Sequence, residues 1–230
     1  MPDRTSRLIL PIVVITGVAV TATGAYLDQR PEPPPAASER PRPPTTATLP
    51  PTAESTGLVR ISYRLHRIPT HASNQLAVWI EDASGAYVRT LFATSFTANG
   101  GYNRRPESLV RWRETSGWEW ATEEEIESAS RPAQDSGEHT LYWDGTDSNG
   151  VPVRPGRYTY RVEGNVWWEN RVLFTGTIEI GDRPHASEAE VAYLPEAARE
   201  EAVMVEDVRA EFTPGETLDP DDVTTYTRGS

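Results

Sequence analysis

Residues 143–164 read WDGTDSNGVPVRPGRYTYRVEG. An aromatic strand end runs into Asp144-Gly145, then Asp147-Ser148-Asn149-Gly150, then Pro155-Gly156, and leaves as Tyr158, Tyr160 and Val162 alternating with Thr159 and Arg161. Glycine and asparagine accept the positive φ of tight turns, and alternate residues of a strand face opposite sides. The stretch predicts a long-looped β-hairpin with one buried aromatic face. A chain organised around it is an all-β protein, in which 7 Trp, 9 Tyr and 4 Phe carry much of the buried area and 16 Gly and 20 Pro supply turns.

Strands on either side follow from alternation bounded by turn residues. Val59, Ile61, Tyr63 and Leu65 interleave with Arg60, Ser62, Arg64 and His66, a first strand with one wet face. Residues 76–80 are a short apolar run, as in a central strand, and residues 81–85 turn it back into a hairpin partner over 87–94. Residues 139–143 lead into the central hairpin. Val172, Phe174, Ile178 and Ile180 then alternate within 166–180, and 189–194 and 204–212 are closing strands separated by an acidic helical turn at 196–201. Seven or eight such strands make an antiparallel β-sandwich.

One interval does not alternate. After Thr97 the chain passes through Asn99-Gly100-Gly101 into a region rich in arginine and tryptophan. Thr122 and Glu125 form a capping box, and Glu123 and Glu124 suit a helix dipole, so residues 122–130 are read as one short helix stopped by Pro132. An insert of about 35 residues exceeds an ordinary connection, and long loops on a rigid scaffold are where function tends to sit.

Arg4 and Arg7 precede an apolar run from Leu8 to Val20 that continues through small residues to Leu27, the order of an export signal. Residues 1–27 are thus a signal peptide cleaved near Thr23-Gly24-Ala25 or a retained membrane anchor, since 20 helical residues at about 1.5 Å each span a bilayer core of roughly 30 Å. Residues 28–56 form a Pro-rich linker, with nine prolines between 31 and 51; it reads as a stalk or a disordered leader. The β domain then occupies 57–212, and 213–230 is an acidic flexible tail.

Charge and composition exclude several functions. Net charge is -12, and residues 185–230 hold 12 acids against 3 bases, which argues against nucleic acid as a partner. Cysteine and lysine are both absent, removing thiol catalysis, thiolate metal sites, disulfides and Schiff-base chemistry. Asp144, Asp147 and Asn149 miss the calcium-loop spacing, because aligning Asn149 and Gly150 puts glycines where carboxylates are required. The four histidines, His66, His71, His139 and His185, never stand at metal-ligand spacing, so neither a metal nor a catalytic site is assigned. What is left is a candidate binding surface: Trp112, Trp118 and Trp120 with Arg104 and Arg111 in the insert, a set able to stack on a sugar or planar ring, with core packing as the rival reading. Trp167 and Trp168, adjacent in a strand, point to opposite faces, one to the core and one outward.

Two resemblances add to this. The 143–164 stretch resembles the Ig-like module of flagellar hook-capping proteins, which implies an Ig-like sandwich. More broadly, LAVWIEDASGAYVRTLF, then Arg111-Trp112, then SGEHTLYWDGTDSNGVPVRPGRYTYRVEGNVWWENRVLFTGTIEIG resembles the predicted periplasmic proteins called domain of unknown function 2271, over residues 58–181. The resemblance implies association with PepSY-type membrane proteins and with the transferase that attaches FMN to a Ser or Thr. The stretch Glu124-Glu125-Ile126-Glu127-Ser128-Ala129-Ser130 is similar to the transferase's acceptor pattern, making Ser130 the acceptor for FMN, although Glu124 stands for an Asp and Glu127 for a Ser or Thr. The expected protein is an exported, non-catalytic accessory of a membrane redox or metal-handling system, with protein partners at the membrane. A flavinylated electron carrier and a carbohydrate-binding module are the rival readings.

Overall fold

The computed structural model describes residues 57–70 and 74–218. The export segment, the linker, His71 and the last twelve residues of the tail lie outside the described residues.

Among the described residues, ten strands form two sheets. One has the order β5 (Gly137–Trp143), β1 (Gly57–Leu65), β10 (Val205–Pro214), β8 (His185–Glu188). The other runs β4 (Ser130–Arg131), β3 (Tyr87–Thr94), β2 (Gln75–Asp82), β6 (Gly156–Trp167), β7 (Asn170–Ile180), β9 (Glu190–Leu194). Every pairing is antiparallel except the short β3–β4 contact. The alternation in β1 has a plain cause: Val59, Ile61, Tyr63 and Leu65 face the other sheet, while Arg60 and Arg64 face water and pair with Glu216 and Glu138. From the opposite sheet Val78, Ile80, Tyr160, Val162, Phe174 and Ile178 close the same core. Gly176 is glycine because the Tyr160 ring occupies the place of its Cβ. The fold is an all-β sandwich.

The central stretch differs from the hairpin its turns suggest. β5 and β6 belong to different sheets, so residues 144–155 carry the chain across the sandwich rather than back along a ladder. The turn residues behave as expected within that crossing. Asp147 Oδ1 accepts from the N–H groups of Asn149 and Val151 at 2.8 and 2.9 Å, and Asp144 Oδ1 accepts from Thr146 N–H and Oγ1. These are Asx turns. Trp143 and Tyr158 flank the crossing and meet edge to face at 5.2 Å, with Trp143 Nε1 donating to Thr146 C=O. An aromatic alternation shows that a face is buried; it does not say against which strand.

Three smaller differences follow. β8 has no alternation long enough to be read from sequence, and its residues pair with β10 over four positions. β10 continues through Thr213 and Pro214, which pair with Leu58 and Gly57, so the last strand takes two residues from the tail. Trp167 and Trp168 are both half exposed. β6 ends at Trp167 and Trp168 has φ 46°, so the two-residue period of a strand no longer applies there.

The insert holds more than the one short helix read at residues 122–130 and forms a third layer. It contains α1 (Ser95–Ala98), α2 (Val110–Ser116) and α3 (Glu123–Ala129), with single 3-10 turns at Gly101–Asn103 and Trp118–Trp120. α3 has the capping box its sequence specifies: Thr122 accepts from Glu125 N–H, and Glu125 accepts from Thr122 N–H. The layer covers the outward face of the larger sheet, where Ala77, Trp79 and Ala93 pack with Leu109, Trp112, Trp118 and Ala129 as a second core.

Candidate functional site

The insert layer and the sheet face beneath it hold the candidate site, and their contact is built around buried charge. Leu109 stands just before α2 with φ 48°, and its side chain caps nothing. The unsatisfied N–H groups of a first helical turn need acceptors. β6 supplies them. Glu163 Oε1 accepts from Arg111 N–H at 3.2 Å, Oε2 accepts from Trp112 N–H at 2.8 Å, and Asn165 Oδ1 accepts from Leu109 N–H at 3.0 Å. Arg171 Nη1 lies 3.6 Å from the same carboxylate. Alongside, buried Glu81 accepts from Trp79 Nε1 at 2.9 Å and pairs with Arg161, whose Nη1 donates to Thr175 at 2.8 Å. The guanidinium Nε atoms of Arg161 and Arg171 are buried without an aligned hydrogen bond.

Glu163 is fully buried, and that burial pushes its carboxyl above the ordinary carboxylate range against the pull of two N–H donors, Arg171 and Arg113. The folded state therefore holds this proton more tightly than the unfolded chain. Its contribution to stability is complete below the unfolded value and is lost as pH rises through the folded one. Urea titrations across that window should show wild-type stability falling with pH, while Glu163→Gln removes this component. Equal slopes in the two proteins would contradict the assignment.

The five surface candidates separate into two groups. Trp112 and Trp118 are buried, their rings 4.5 Å apart at 43°, with Nε1 atoms donating to Thr90 Oγ1 and Ala98 C=O. The stacking platform of three insert tryptophans is therefore not presented to solvent; two of its rings are core. Trp120 stands 88% exposed. Arg104 is exposed with its guanidinium 5.4 Å from the Phe96 ring, and Arg111 is exposed on α2. Trp168 lies against residues 105–108 across a crevice of about 30 Å³, which brings it beside the insert. Sequence reasoning missed Glu163 and Asn165 as the insert's fastening points. Nothing local in the sequence marks them, because residues 110–116 carry no capping side chain that would announce the helix.

Ser130 caps the C-terminal end of α3 and opens β4 at the sheet edge, half-buried, with its Oγ accepting from Asn99 Nδ2 at 2.8 Å. In the same stretch Ser128 is exposed, its Oγ donating to Glu125 C=O, and Ala129 is core. The histidines among the described residues have local contacts: His66 meets Glu206 at 2.7 Å, His139 reaches Asp135 C=O at 2.8 Å, and His185 Nδ1 accepts from Glu179 N–H at 3.4 Å.

Fold and site together define a two-sheet β domain with a helical layer docked on its larger sheet. Residues 59–193 match the family described as predicted periplasmic protein, domain of unknown function 2271, and the chain belongs to that family. The description supports an extracytoplasmic location. No curated protein and no solved structure matches the chain.

Proposed function

We propose that this protein is an extracytoplasmic accessory module, non-catalytic itself, that docks through its insert layer onto a membrane protein handling electrons or metal. The observation that carries this reading is Trp120, 88% exposed on an insert that is otherwise fastened by buried hydrogen bonds. A large aromatic held outward on a rigid support is the kind of anchor that interfaces use, and Arg104 and Arg111 are exposed on the same insert. The buried acid Glu163 supports it too, since it holds the insert in place.

Photo-cross-linking tests the proposal. A benzophenone side chain at position 120 should give adducts with a cofactor- or metal-containing membrane protein in intact cells, and one at Tyr142 on the smaller sheet should not. Equal labelling from both positions would reject it. Trp120→Ala should leave unfolding stability within about 0.5 kcal/mol of wild type while weakening the partner contact; a large loss of stability would mean the ring is structural.

The flavin reading has one favourable observation: Ser130 sits on a two-residue edge strand, which peels from a sheet at small cost. Intact mass of the chain co-expressed with the transferase decides it. Attached flavin that disappears in Ser130→Ala would make the module a one-centre electron carrier, and an unmodified mass would remove the reading.

A further inference from the structure

Glu81 is a fully buried carboxylate whose partners both lie within the larger sheet. Its Oε1 accepts from Trp79 Nε1–H at 2.9 Å, and its Oε2 faces Arg161 Nε at 2.8 Å. Burying a carboxylate is costly, and an indole N–H needs only a neutral acceptor. The other buried tryptophans use one: Trp112 Nε1 donates to Thr90 Oγ1, Trp118 Nε1 to Ala98 C=O and Trp143 Nε1 to Thr146 C=O. Among the described residues, Trp79 is the one indole that donates to a carboxylate.

Four tryptophans also follow one another from the surface inward. Trp120, exposed, closes the 3-10 turn that buried Trp118 opens, two residues on at about 2 Å of rise each. The Trp118 and Trp112 rings stand 4.5 Å apart. Trp112 Nε1 donates to Thr90, which is the cross-strand neighbour of Trp79, and all three buried rings share the core beneath the insert. Tunnelling falls exponentially with distance, so an electron crosses several short gaps between rings far faster than one long gap. Loss of an electron makes an indole N–H a far stronger acid, and its hydrogen bond to a carboxylate then strengthens. The ring that faces a carboxylate is therefore where the missing electron comes to rest.

We propose that Trp120, Trp118, Trp112 and Trp79 form a relay for one-electron oxidation that ends at Trp79 and Glu81. Trp120 gives one electron to a high-potential one-electron oxidant, a high-valent metal centre, which is reduced. Trp118, Trp112 and Trp79 then each pass one electron outward in turn. At Trp79 the Nε1 proton moves along its hydrogen bond to Glu81 Oε1, leaving a neutral indolyl radical and a carboxylic acid, while Arg161 keeps its hydrogen bond to Thr175. One electron and one proton have left the ring, and a one-electron reductant reverses both movements. Tyr87 does not compete, because its hydroxyl meets only Thr90 Oγ1 and Thr90 N–H, neither of which is a base. The docking reading supplies only the source of the oxidant; the relay is tested without a partner.

Flash photolysis of the full-length protein with tris(bipyridine)ruthenium and an electron-accepting quencher tests it, since the oxidised ruthenium complex stands in for the metal centre. Transient absorption should show a neutral tryptophan radical that ascorbate reduces at least tenfold more slowly than the radical of free N-acetyltryptophanamide, because the ring that holds it is buried. Glu81→Gln keeps the shape but cannot take the proton, and should shorten the life of that protected radical at least tenfold. Trp112→Phe leaves Trp79 and Glu81 in place and should cut its yield at least tenfold. Circular dichroism matching wild type shows that each variant is folded, and the wild-type measurement needs no variant. A wild-type radical reduced by ascorbate as fast as the free compound's overturns the proposal. So does a folded Glu81→Gln protein with an unchanged lifetime, or a folded Trp112→Phe protein with an unchanged yield.

Discussion

Glu163→Ala should destabilise the folded domain by roughly 3–5 kcal/mol, the cost of breaking a buried charge arrangement from one side. Three losses coincide. The second and third N–H groups of α2 lose their acceptors, Arg171 loses its facing carboxylate, and a fully buried volume is left unfilled between sheet and insert. Because the insert is what Glu163 fastens, Trp112 and Trp118 should report the change first, through red-shifted tryptophan emission at urea concentrations where the sheets remain intact. Glu163→Gln retains the shape and one acceptor and should lose clearly less. If the alanine and glutamine variants match wild type in urea, the carboxylate does not hold the layer.

A loss of about 3–5 kcal/mol is also expected for Trp143→Ala, the range for truncating a buried tryptophan. Trp143 is fully buried at the end of β5, where the chain leaves one sheet for the other. Its ring meets Tyr158 at the start of the second sheet, and its Nε1 holds the carbonyl of Thr146 in the crossing. Removing it empties the space between the layers and frees the turn together. Trp143→Phe keeps most of the apolar contact and should cost less than the alanine variant. A Trp143→Ala protein that melts within a few degrees of wild type would show that the crossing does not depend on this contact.

The legible part of the fold is the part written in local periodicity. β1, the β2–β3 hairpin and the capped helix α3 were readable because alternation and a capping box each depend on residues a few positions apart. The placing of β5 and β6 in different sheets was not. Asp147, Asn149 and Gly150 specify a reversal, yet the same Asx turns serve a hairpin and a sheet-to-sheet crossing equally well. The site shows a similar divide. Trp120, Arg104 and Arg111 do lie at the surface, whereas Trp112 and Trp118 are turned inward by packing on Trp79 and Ala93, positions far away in sequence. Glu163 occupies an outward position of β6, and alternation alone assigns such a residue to water. Knowing that a helix from the insert covers it required the third layer.

The pairing of Gly57 with Pro214 places both ends of the folded domain at one pole. β1 has 9 residues, and at about 3.3 Å of rise for each the opposite pole stands roughly 30 Å away. That far pole contains Leu65 and Val205, the place where β10 loses its neighbour. The stretch of β10 that runs on without β8 thus lies at the pole away from Gly57 and Pro214, about one strand length from the chain's entry into the domain.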